Sequence, residues 1–214
     1  MSNLLSKLSL RILDISYRHK LSHLGSCLTA LPILWEIYTK KKPDEKFVLS
    51  AGHSGLALYV LLEALGTIKD AEAQLVTDGI HPIRREGNGI DCSTGSLGQG
   101  ITVAVGMALA DRAKNVYVLS TDGELAEGSV WESLYFADRF QLINLKFYFN
   151  INGWTALQEV SPEYIYKRLD NFKDSQMYFR LPTNYPPFPW LQGLEGHYHV
   201  MNETEYEEIK KFYE

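Results

Sequence analysis

The run Asn115-Val116-Tyr117-Val118-Leu119-Ser120-Thr121, followed at once by Asp122-Gly123-Glu124, decides how this 214-residue chain is read. An almost unbroken apolar and β-branched stretch of this length is the pattern of a strand covered on both faces, which is the habit of parallel sheets. Residues 127–140 then resume helical spacing, and residues 145–151 repeat the strand pattern. Strand, helix and strand in alternation imply crossover connections and a mostly parallel sheet with helices on both sides. In such sheets ligands sit beyond the carboxyl ends of the strands, where Asp122 and Gly123 fall.

The same alternation extends upstream. Residues 4–17 place leucine and isoleucine three and four apart, predicting an opening helix, and residues 29–39 predict a second with Pro32 in its first turn. Residues 40–46 read as a solvated loop. Phe47-Val48-Leu49-Ser50 reads as a short strand ending at Ala51-Gly52-His53, and residues 55–66 as a helix. A turn rich in glycine, Gly95-Ser96-Leu97-Gly98-Gln99-Gly100, leads into a helix over 101–113. Beyond Gln158 the pattern weakens: a short helix over 161–169, a Pro-rich irregular loop over 171–190, a last strand over 197–201 and a terminal helix over 203–213. The expected organisation is one domain, residues 1–214.

Composition narrows the function. A net charge of −5 without a run of Lys and Arg argues against a nucleic-acid footprint. No apolar run approaches the roughly 18 residues of a membrane span, and the N-terminus is not patterned as a signal peptide, so the expectation is a cytoplasmic protein with no membrane partner. Cys27 and Cys92 lack a partner motif, which gives neither a disulfide framework nor a thiolate metal site.

A carboxylate at a strand end followed by glycine suits magnesium chelated to a diphosphate, because magnesium takes about six oxygens and commonly several from phosphate. Asn152 ends the next predicted strand, so the two strand ends can share one metal. Alone, Asp-Gly is an ordinary turn; the pairing with Asn152 points to a site. His23, His53 and His81 each adjoin a Gly or Pro break where a side chain can face a cleft, and an imidazole can bind a hydroxyl and relay its proton. His19, His197 and His199 read as structural, and Trp131 and Trp154 as packing residues. Glu127 and Glu132 lie five apart on one helix and read either as solvated or as pairing with its dipole.

Thr121-Asp122-Gly123-Glu124-Leu125-Ala126-Glu127-Gly128, with Asn152-Gly153-Trp154, resembles the thiamine-diphosphate motif in its transketolase form. Ser22-His23-Leu24-Gly25-Ser26, Phe47-Val48-Leu49-Ser50-Ala51-Gly52-His53, His81-Pro82 and Ser93-Thr94-Gly95-Ser96-Leu97-Gly98-Gln99-Gly100 match in the family's order. The resemblance implies a three-layer α/β thiamine-diphosphate-binding fold. It implies that Asp122, Asn152 and the Trp154 backbone carbonyl bind Mg2+, or another divalent cation such as Ca2+. It places His53, Gly95, Ser96, Leu97, Asp122, Gly123, Glu124 and Asn152 at thiamine diphosphate, His23, His53 and His81 around the reactive carbon, and Glu127 and Glu132 at a subunit interface. Three positions depart from the pattern: Leu24, Thr121 and Asn150.

In the family a separate pyrimidine-binding domain supplies the glutamate that activates the cofactor, and no second α/β domain is read here. A further Lys-Gly-rich strand and loop with another histidine, common in longer relatives, is also not matched. The implied protein is therefore the diphosphate-binding subunit of a split transketolase, working with a C-terminal pyrimidine-binding subunit in a heterotetramer. It would transfer a two-carbon ketol unit between sugars or sugar phosphates. The alternatives are a non-catalytic cofactor-binding or assembly subunit, or a related thiamine enzyme making a branched sugar.

Overall fold

A computed structural model describes residues 2–155, 157–172, 176–180 and 187–214. Its centre is a parallel sheet in the order β1-β2-β3-β4, formed by Lys46–Leu49, Val116–Thr121, Leu145–Asn150 and Gln176–Arg180. Every residue of β2 is buried, as the opening run requires of a strand covered on both faces.

Alternate side chains of these strands feed two cores. Phe47, Leu49, Tyr117, Leu119 and Tyr148 face helices α1 (Ser2–Arg18), α2 (Leu24–Lys40) and α3 (Gly55–Ala64). Val48, Val116, Val118, Phe147 and Phe149 face α5 (Gln99–Ala110), α6 (Gly128–Arg139) and α7 (Pro162–Leu169). This is the expected three-layer α/β arrangement, produced by the period-two alternation of strand side chains. Between the layers' connections lies α4 (Ala71–Asp78), a helix not read from the sequence. Asp70 starts it by accepting hydrogen bonds from the backbone of Glu72 and Ala73.

Three local expectations change. Helix α2 begins at Leu24, so Pro32 lies inside it rather than in its first turn; the ring is on the exposed side, where the interrupted ladder faces away from the core. Residues 171–190 are not wholly irregular, because β4 lies within them; residues 173–175 and 181–186 fall outside the described residues. Met177 and Phe179 pack in one core while Tyr178 stacks on Tyr148 at 4.7 Å in the other, so five alternating residues suffice to make an edge strand. Arg180 then pairs with Glu36 of α2 through its Nε at 2.7 Å. Finally, residues 197–201 form no strand: α8 (Gly193–Tyr198) ends there and α9 (Glu203–Tyr213) follows. Asn202 caps α9 in a capping box, and Tyr206 stacks on Tyr17 at 4.4 Å, tying the C-terminal helix to α1. No helix among the described residues is long and apolar enough to cross a membrane.

Candidate active site

The carboxyl ends of β1, β2 and β3 open into one cavity of about 260 Å³. Asp122 follows β2 and is 1% exposed. Its Oδ2 accepts hydrogen bonds from the backbone N–H groups of Asn152 (2.8 Å), Gly153 (2.7 Å) and Trp154 (3.2 Å), and Oδ1 accepts one from Gly123 (3.1 Å). The in-register pairing of Thr121 with Asn150 brings the two strand ends together across 30 residues of sequence. Burial pushes the Asp122 carboxyl up to about 6, against the pull of those four N–H groups. A buried carboxylate in this state is stabilised by a cation, and the nearby donors are hard oxygens. Asn152 Oδ1 lies close enough to accept from the Trp154 N–H at 2.9 Å. No cluster of three His, Cys, Asp or Glu suited to a metal occurs among the described residues, so a metal here would draw on amide, carbonyl and ligand oxygens beside Asp122.

The opposite wall is imidazole. His53 sits in a 3-10 turn after β1, and His23 precedes α2 in a left-handed conformation with φ 62°. Their ring centroids are 5.4 Å apart. Burial first, and the neighbouring imidazoles second, lower His23 to about 4 and His53 to about 3, so both are neutral at physiological pH. His81 reaches the same cavity from the turn after α4.

The third imidazole packed on this pair belongs to a residue read as structural. His197, from α8, stands 4.9 Å from the His23 ring and 5.8 Å from the His53 ring. Its carbonyl accepts a hydrogen bond from the His23 backbone N–H at 3.0 Å, which latches the C-terminal segment over the cavity. His19 and His199 instead pair with Glu72 and Glu205 away from the cavity, as expected of structural histidines.

Backbone crowding explains the glycines. A Cβ on Gly52 would lie 2.8 Å from the Gly95 nitrogen, and one on Gly95 would lie 3.2 Å from the His81 ring. The absence of both side chains lets the β1 turn, the Gly95 turn and His81 meet around the cavity. Of the residues expected at the cofactor, His53, Gly95, Leu97, Asp122, Gly123 and Asn152 line it. Ser96 is exposed and does not. Glu124 does not either: it is fully buried, with Oε1 accepting from Ser50 Oγ (2.7 Å) and Gly98 N (2.8 Å) and Oε2 from Ser120 Oγ (2.8 Å). It clamps the ends of β1 and β2 to the start of α5. Trp154 lines the cavity, and Trp131 caps the Leu125 carbonyl through Nε1 at 2.9 Å. Glu127 and Glu132 are exposed at and near the start of α6.

The departing positions separate spatially. Thr121 lines the cavity. Asn150 turns away from it, donating from Nδ2 to Thr29 Oγ1 of α2 at 2.8 Å. Leu24 is buried in the core at the start of α2.

Residues 10–173 match the family model for the transketolase thiamine diphosphate binding domain. The chain belongs to the transketolase family. One subunit of the apulose-4-phosphate transketolase from Phocaeicola vulgatus is 37% identical over 158 residues, covering 63% of this chain and 54% of that protein. A 6-deoxy-6-sulfo-D-fructose transketolase subunit from a Clostridium species is 34% identical over 203 residues, covering 82% of this chain and 66% of that protein. Human transketolase is 38% identical over 153 residues, covering 61% of this chain but 24% of its own length. Among solved structures, a transketolase from Pichia stipitis superposes with a TM-score of 0.79 over 100% of this chain and 41% of its own, at 21% identity, a likeness of fold. The chain thus spans about half the length of the first of these relatives, 54%, and a quarter of the human transketolase, 24%. The cavity built on Asp122 lies within the matched thiamine diphosphate binding domain, whereas His197 and Tyr198, which close it, lie beyond residue 173.

Proposed function

We propose that this chain is a single-domain, cytoplasmic, diphosphate-binding subunit of a two-chain transketolase, assembled as a heterotetramer with a pyrimidine-binding chain, that moves a two-carbon ketol unit from a ketose to an aldose. The observation that carries the reading is the convergence, on one cavity, of the Asp122–Asn152 pair and a wall of neutral imidazoles. Relatives named as transketolase subunits support the division into two chains.

Asp122, Asn152 and the Trp154 carbonyl would hold Mg2+, which neutralises a diphosphate and relieves the buried Asp122 charge. Thiamine diphosphate held there would supply the electron sink for the broken C–C bond. This chain's own residues handle protons and exclude water. As the ketose C2–C3 bond breaks, an imidazole of the His23, His53 and His81 set takes the proton of the C3 hydroxyl, and C3 leaves as the aldehyde carbon of a shorter aldose. When the two-carbon unit joins the acceptor, a proton returns to the aldehyde oxygen. Burial holds the His23 and His53 imidazoles in the neutral form that can take a proton, and general acid–base assistance of this kind contributes about 10²–10⁴-fold. Glu127 and Glu132, exposed beside the cavity turn, are assigned to the subunit interface.

The test mixes the chain with its pyrimidine-binding partner, Mg2+ and thiamine diphosphate, and measures transfer between ketoses and aldoses. Transfer that is lost in Asp122→Ala is expected. Failure of the complete pair to bind the cofactor would overturn the assignment, and binding without transfer to any aldehyde would make the chain a non-catalytic assembly subunit.

A further inference from the structure

Tyr198 occupies the mouth of the cavity. It is 60% exposed, yet its ring stands edge-on to His23 at 5.5 Å and to His197 at 5.4 Å, with interplanar angles of 80° and 72°. The hydroxyl has no hydrogen-bond partner among the described residues, and the ring contributes to neither apolar core. Its position is fixed from behind, because the His197 carbonyl is bonded to the His23 N–H. An exposed aromatic ring that stands against two imidazoles of the cavity and belongs to neither core is placed for something that enters from solvent.

The chemistry of the surrounding wall indicates what enters. No Lys or Arg lines the cavity among the described residues. The polar groups in ring contact with Tyr198 are the imidazoles of His23 and His197, which suit hydroxyl groups. The ring face offers apolar contact to C–H groups, and its hydroxyl can join the same network. In a two-carbon transfer, the fragment released by the donor and the acceptor are both aldoses, so both tails occupy the same path outward.

We propose that Tyr198 is a specificity-determining residue that packs against the uncharged, hydroxyl-bearing carbon chain of the aldose beyond its reacting carbon, selecting for chain length. The assignment rests on the ketol-transfer reading above. On this assignment a four-carbon aldose gains the contact with the ring and a two-carbon aldehyde does not.

The experiment uses the reconstituted two-chain holoenzyme and compares kcat/KM for two uncharged acceptors, glycolaldehyde and erythrose, a quantity that reports the acceptor half-reaction alone. In Tyr198→Ala the erythrose-to-glycolaldehyde ratio is expected to fall roughly 2- to 12-fold, the range of one aromatic packing contact. Tyr198→Phe, which keeps the ring, should retain most of the ratio. Thiamine diphosphate affinity, measured by calorimetry on the same variants, reports whether the cavity itself is intact. An unchanged ratio, or an equal loss for both acceptors accompanied by weakened cofactor binding, would overturn the proposal. A wild-type holoenzyme that binds cofactor but transfers to neither aldehyde would instead overturn the ketol-transfer reading on which it stands.

Discussion

Replacing Asp122 with Asn should make the cofactor-free protein more stable at alkaline pH while removing its response to metal. The Asp122 carboxyl is raised from an ordinary 3.8 to about 6 by burial. For an acid raised on folding, the contribution to stability is complete below the unfolded value and is lost as pH climbs through the folded one. Keeping Asp122 therefore costs the apo protein about 1–2 kcal/mol at pH 5 and about 3 kcal/mol at pH 8. Asn can still offer one oxygen to the N–H groups of Asn152, Gly153 and Trp154, but its amide nitrogen would face the Gly123 N–H that now bonds Oδ1 at 3.1 Å. That mismatch costs about 1–2 kcal/mol. The net expectation is a variant about 1–2 kcal/mol more stable than wild type at pH 8 and close to equal at pH 5. Urea unfolding in chelator, followed by tryptophan fluorescence at both pH values, measures this directly. Adding Mg2+ and thiamine diphosphate should then stabilise wild type and leave Asp122→Asn unmoved. A variant less stable than wild type at pH 8 in chelator would refute the claim that burial of an uncompensated charge dominates at Asp122.

Glu124→Ala leaves the donors Ser50, Ser120 and Gly98 unpaired inside the core, about 1–3 kcal/mol each, offset in part by removing a carboxyl that burial raises, and should lower the urea midpoint with unchanged slope. A loss below 1 kcal/mol would show that the clamp is dispensable. His53 is lowered to about 3 from an ordinary 6.5, chiefly by burial, so its contribution is present above pH 6.5 and lost as pH falls toward 3, the opposite sense to Asp122. His53→Asn should therefore relieve about 2 kcal/mol of acid destabilisation at pH 5 and lower holoenzyme kcat/KM by about 10²-fold or more. Equal acid sensitivity in wild type and variant would place the titrating group elsewhere.

The sequence by itself was enough for three of the four strands, β1, β2 and β3, and for bringing Asp122 beside Asn152. Residues 115–121 and 145–151 announce buried strands because burial on both faces leaves no room for polar alternation, a constraint written locally in each strand. Once those strands are parallel neighbours, Asp122 and Asn152 must meet, since register carries both residues to the same sheet edge. The close glycines Gly52 and Gly95 were legible as turns for the same reason: their requirement is steric and local.

Only the tertiary structure decided which side chains face the cavity. Glu124, beside Asp122 in sequence, points into the core and acts as a clamp, whereas His197, far along a segment without periodicity, joins His23 and His53. Asn150 and Thr121 are paired across β2 and β3, yet one turns to α2 and the other lines the cavity. Strand β4 escaped the sequence because five residues beside prolines carry too little pattern, while stacking on Tyr148 and Phe149 supplies the missing reason to pair. Periodicity records the contacts that an element makes with its own layer. The contents of a cavity depend instead on where separate segments come to rest against one another, as when the backbone hydrogen bond and the ring contacts to His23 bring His197 and Tyr198 to the cavity.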